Sequence, residues 1–180
     1  MSHILAAMMP ENRLIVRLCM ATGLRISDAL EIKTAKLRRR MTVKEIKTGK
    51  SRRVVIPADI YNEMLSHAGR LWVFEGRCDW HKHRARQSVL KDIKKAAAVF
   101  QRTGAVRSGC VGTHTARKIA AVEAYQRGGL DAAQKLLNHS DPAITMLYAL
   151  ADQQTTSKKG SKKKGCLHFP FLLVRVALMD

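Results

Sequence analysis

"MTVKEIKTGKSRRVVIP", Met41 to Pro57, is the stretch whose reading decides the fold. Two runs that favour extended structure flank "KTGK", and Gly49 suits the turn between them. The pattern predicts a β-hairpin, closed by Pro57. Its surroundings read as helix. Upstream, "ENRLIVRLCMAT" (11–22) places Leu14, Ile15, Leu18 and Cys19 on one helical face, with Gly23 as a stop. "RISDALEIK" restarts a short helix, with Ser27 as its candidate cap.

Downstream, "ADIYNEMLSHAG" reads as a helix with Asp59 near its start, and "LWVF" as a strand or a buried connector. Residues 83–102 give the clearest helical stripe: Val89, Ile93, Ala97 and Phe100 stand against Lys91, Lys94, Lys95 and Arg102. "VRSGCVGTH" is a loop by composition. "TARKIAAVEAYQRGG" forms a helix ended by Gly128–Gly129, and Asp131 opens another through "AAQKLLN". In "SDPAITMLYAL", Asp141 caps a last helix and Pro142 takes its first position. The expected class is α+β, mainly α, with one small antiparallel sheet.

Charge narrows the partners. The chain carries 33 Lys and Arg against 14 Asp and Glu, a net of +19. Residues 151–180 account for +4, so +15 belongs to residues 1–150 and points to a polyanion, nucleic acid first. The low-complexity stretch "TTSKKGSKKKG" marks a boundary, giving a domain over 1–152 and a basic linker and tail over 153–180. Cys19, Cys78, Cys110 and Cys166 show no close pairing, which fits a reducing, cytoplasmic setting better than a disulfide framework. "CDWHKH" lacks the second ligand pair that structural zinc needs. No apolar run reaches the roughly 20 residues that span a bilayer, so no membrane partner is expected.

Four short segments carry the chemistry. "TGLRISDALE" holds Arg25 and Asp28; "EIKTGKSRRVVIP" holds Lys47 beside the turn. "THTARK" places His114 and Arg117 three apart, on one side of a helix's first turn. "LLNHSDPAITMLYA" sets His139 nine residues before Tyr148. In this order, and over about residues 10–152, the series resembles the catalytic domain of the tyrosine recombinases, the phage integrase family. The resemblance implies catalytic roles for Arg25, Lys47, His114, Arg117, His139 and the nucleophile Tyr148, with Asp28 as structural support. It also implies double-stranded DNA as partner, a homotetramer at synapsis, and a bacterial or phage-encoded protein acting at the nucleoid. Lys50, Arg52, Arg53 and Lys118 are the expected DNA-contacting residues.

The residue types suit such a reaction. A tyrosine oxygen can store the energy of a phosphodiester bond in a covalent link. Two guanidiniums match the charge that gathers on the non-bridging oxygens of the transition state. A lysine beside arginines can protonate the leaving 5′-oxygen. His114 could take the tyrosine proton and His139 could bond the phosphate, a scheme that calls for no metal or other cofactor.

Each residue alone has a plainer reading: a surface arginine, a helix-end histidine, or a Tyr148 packed beside Ile144 and Leu147. The sequence departs from the family at Asn138, where glycine is usual, and at Lys118, where histidine is common. It also begins almost at the catalytic domain, as a fragment or a naturally short member would. Two other functions share these features: a type IB topoisomerase-like relaxing enzyme, and a catalytically silent DNA-binding module of the same fold.

Overall fold

Helices α1 (Ser2–Ala6) and α2 (Pro10–Thr22) open the chain in the computed structural model, which describes residues 1–102, 104 and 111–138. Pro10 sits at the first turn of α2, where its missing N–H has no helical partner to lose. Leu14, Ile15, Leu18 and Cys19 are fully buried, as their spacing predicts. Burying each such aliphatic side chain is worth about 1.5–3 kcal/mol. Burial pushes the Cys19 thiol up to about 12, with Asp28 adding to the shift, so Cys19 acts as a small apolar core residue.

Gly23 ends α2 in the left-handed region (φ 67°), and its N–H donates to Cys19 O at 2.9 Å. Arg25 is then extended and caps α3 (Ile26–Leu30). Ser27 therefore lies inside α3 and is not its cap, because the extended residue falls two positions earlier than the sequence suggested. A 3₁₀ turn, Thr34–Lys36, leads to the sheet.

Strands β1 (Arg40–Lys44) and β2 (Ser51–Val55) form the expected antiparallel hairpin, in register from Arg40↔Val55 to Lys44↔Ser51. Val43, Arg52 and Val54 are buried, and Glu45, just beyond β1, is buried with them. The turn is closed by Glu45 N–H on Lys50 O (2.8 Å) and Gly49 N–H on Glu45 O (2.9 Å), with Gly49 at φ 67°.

Helix α4 (Ala58–His67) buries Ile60 and Met64. "LWVF" is the buried connector of the two expected options: Val73 and Phe74 are inside, and the strand-like pairing of Trp72 with Lys33 is an isolated bridge. Helix α5 (Arg86–Arg102) starts three residues later than its stripe suggests. A bridge between Glu75 and His83, and Arg84 N–H on Phe74 O at 2.7 Å, hold the preceding residues in the connector.

Helix α6 (Thr115–Leu137) is broken at Gly128–Gly129, where Gly129 takes φ 70°, the interruption that the glycine pair predicts. α2 packs against α3, α4 and α6, while α1 packs on α5. The segment "SDPAITMLYAL", expected to be helical, lies outside the described residues, as do His139 and Tyr148. Among the described residues no helix is long and apolar enough to cross a membrane.

A Cβ at Gly23 would approach Leu136 Cγ at 3.1 Å while the backbone keeps its positive φ. Gly23→Ala is expected to destabilise the fold by about 1–3 kcal/mol, measured by urea unfolding.

Candidate active site

The C-terminus of α2 and the C-terminus of α6 meet at one place, and each ends in carbonyls that its own helix cannot satisfy. Two arginines from other parts of the chain close this junction. Arg117, in the first turn of α6, donates Nη1 to Gly23 O at 2.5 Å and Nη2 to Leu137 O at 2.6 Å. Arg52, on β2, donates Nη2 to Thr22 O at 2.7 Å and Nη1 to Leu136 O. Cations at helix C-termini also oppose the negative end of each helix dipole.

Arg52 thus departs from its expected role. Period-two alternation on β2 turns it inward beside Val54, and its guanidinium binds helix-end carbonyls instead of facing solvent. Lys50, Arg53 and Lys118, the other expected DNA contacts, are exposed.

Two carboxylates balance the arginines. Asp28, on α3, is buried; its Oδ1 accepts from Ile46 N–H at 3.0 Å, and its Oδ2 lies 3.8 Å from Arg25 Nη1. Glu45 accepts from Arg25 Nη1 at 2.6 Å and from Thr48 Oγ1 at 2.8 Å, and its Oε1 lies 3.9 Å from Arg52 Nε. Burial alone would raise the Glu45 carboxyl, but the bonds from Arg25 and Thr48 outweigh it and hold the group below the usual carboxylate range. Burial, with Arg25 and Arg52 beside it, pushes Arg117 down to about 10, so it stays charged at neutral pH.

Arg25, Asp28 and Arg117, expected from separate segments, therefore share one buried cluster. Lys47 rides the exposed turn two residues beyond Glu45. His114 caps α6 and is exposed at the rim, accepting Lys118 N–H on its backbone oxygen at 3.0 Å. Partial desolvation of its ring, then Arg86, Arg117, Arg25 and Lys118, hold its pKa below the ordinary histidine value. A neutral imidazole at pH 7 can accept a proton. Asn138 ends α6 at φ 54°, a left-handed conformation that asparagine tolerates.

Sequence reasoning missed Glu45 and the inward role of Arg52. The signal was available: both keep the alternation of Val43 and Val54 toward the core. Among the described residues no group of His, Cys, Asp and Glu is placed to hold a metal ion. Chemically, the cluster offers fixed positive charge beneath a rim that carries one neutral imidazole and one lysine.

The phage integrase family model matches residues 1–155. A probable integrase/recombinase, YoeC of Bacillus subtilis (strain 168), is 30% identical over 138 residues, 75% of each chain. Among solved structures, a lambda integrase dimer bound to a COC′ core site superposes with a TM-score of 0.69 at 17% identity, over 94% of this chain. XerH site-specific recombinase bound to palindromic difH substrate, in a post-cleavage complex, gives 0.67 at 18% identity over 87%. This chain spans about half the length of either, 49% in both cases.

Two expectations follow from the site's geometry. Arg52→Ala strips Thr22 O and Leu136 O of a donor and leaves Glu45 with less positive charge. It should lower unfolding stability by about 3–5 kcal/mol in a urea titration. The His114 imidazole should titrate by NMR below the ordinary value. Because its folded pKa is depressed, its contribution to stability is intact above the unfolded pKa and lost as pH falls through the folded one. A midpoint at or above the ordinary value would contradict the rim as described.

Proposed function

The chain belongs to the phage integrase family, and from that premise we propose that it is a site-specific DNA recombinase acting through a 3′-phosphotyrosyl intermediate. One observation carries the reading: Arg25 and Arg117, 92 positions apart in sequence, are fixed in the same charge cluster, with His114 at its rim.

In this proposal the Tyr148 oxygen attacks the scissile phosphorus, and the bond from phosphorus to the 5′-oxygen breaks. Arg25 and Arg117 meet the negative charge on the non-bridging oxygens. Lys47 gives its proton to the departing 5′-oxygen, and His114 takes the proton of Tyr148. His139 donates a hydrogen bond to the phosphate. Attack by a 5′-hydroxyl on the phosphotyrosine runs the same steps backwards, so the strand is rejoined without an external energy source.

Double-stranded DNA is the proposed partner, with exposed Lys50, Arg53 and Lys118 on its backbone and four copies at synapsis. The net charge of +19 supports a polyanionic partner and implies binding that weakens steeply with salt. Residues 1–152 form the proposed catalytic domain, and 153–180 a basic linker and tail.

The test is incubation with a library of nicked duplexes, followed by denaturation and sequencing of the DNA left on the protein. The wild-type chain should retain DNA, and Tyr148→Phe should retain none. An adduct on the Phe variant would displace Tyr148 as nucleophile. Relaxation of supercoiled plasmid without sequence preference would favour a topoisomerase, and salt-dependent binding with no adduct a silent DNA-binding module.

A further inference from the structure

We propose that Glu45 is a positioning residue for strand cleavage, its carboxylate joining the Arg25 guanidinium to the turn that carries Lys47. This rests on the roles given to Arg25 and Lys47 above. One oxygen of Glu45 receives both Arg25 Nη1, at 2.6 Å, and Thr48 Oγ1, at 2.8 Å. Thr48 is the immediate neighbour of Lys47. The Glu45 backbone closes the same turn, through its N–H on Lys50 O and its carbonyl under Gly49 N–H. Asp28, one helical turn beyond Arg25, adds a second tie by accepting Ile46 N–H. The turn and the start of α3 are therefore held together from both sides.

Packing does not explain a glutamate here. Position 45 continues the inward alternation of Val43, and an apolar side chain would fill that place without the desolvation of a carboxylate. What Glu45 supplies instead is a fixed, charged acceptor beneath a long and otherwise adaptable arginine. Arg25 is then set in place before DNA arrives, so no reorganisation is left for the transition state. The turn's lysine is indexed to the same carboxylate, which keeps the proton donor and the phosphate-binding charge at a constant separation.

The experiment is single-turnover adduct formation on a nicked duplex bearing the sequence captured by the wild-type chain. It compares wild type, Glu45→Gln, Arg25→Lys and the double variant, with duplex affinity measured alongside by gel shift. Glu45→Gln should slow cleavage by about 10- to 100-fold while leaving affinity unchanged. Arg25→Lys should slow it by about 100- to 1,000-fold. The double variant should be about as slow as Arg25→Lys alone, because Glu45 acts through Arg25.

Cleavage by Glu45→Gln at the wild-type rate would overturn the proposal, as would two defects that multiply in full. If Glu45→Gln is unfolded at the assay temperature, Thr48→Val decides, since Thr48 is exposed and its hydroxyl serves the same carboxylate. Slower cleavage by Thr48→Val supports the proposal, and a wild-type rate overturns it. The wild-type lane separates the two readings: no adduct there refutes the recombinase function and takes the role of Glu45 with it.

Discussion

Two helices that end at the same point create a concentration of unpaired carbonyls, and the rest of the site follows from satisfying them. Thr22 and Gly23 at the end of α2 face Leu136 and Leu137 at the end of α6. Neutral donors would satisfy the carbonyls, but guanidiniums also oppose the two helix dipoles. Bringing Arg52 and Arg117 inside in turn demands negative charge, which Glu45 and Asp28 provide. Arg25 completes the cluster by joining both carboxylates. Each charge is there because another is, so removing one leaves a buried partner exposed to the full cost of desolvation.

The same arrangement suits the proposed chemistry. A surface that stabilises a transient dianionic phosphate works best when its positive groups are already oriented, and burial on fixed carbonyls and carboxylates orients them. Arg117 would link fold to the proposed function, because the bonds that seal the helix junction also fix the plane of its guanidinium. The rim itself is exposed, with Lys47 on a six-residue connection between strands and His114 at a helix start.

Much of this was legible in the sequence, and the omissions have physical causes. The helical faces of α2 and α5, the hairpin and the break at Gly128–Gly129 follow from local periodicity and backbone preference. That Arg25, Asp28 and Arg117 come together was legible because motif order carries long-range information that periodicity lacks. Arg52 was misread because a single arginine in a strongly basic chain looks like a surface cation; only alternation with Val54 hints that it turns inward. Glu45 was passed over because its role depends on partners 20 residues upstream and seven downstream, pairings that no local pattern encodes. Ser27 was misplaced by composition, since cap preference cannot say which residue is the last extended one.

On the proposed function, the buried cluster holds the arginines that meet the phosphate in place before DNA binds. The most direct measurement is a crystal structure of the chain on its captured duplex. It should show a scissile phosphate within hydrogen-bond distance of both Arg25 and Arg117, with Arg25 still on Glu45 and Arg117 still on Gly23 O and Leu137 O. A phosphate bound away from this pair, or arginines that must leave their carboxylate and carbonyls to reach it, would contradict the claim.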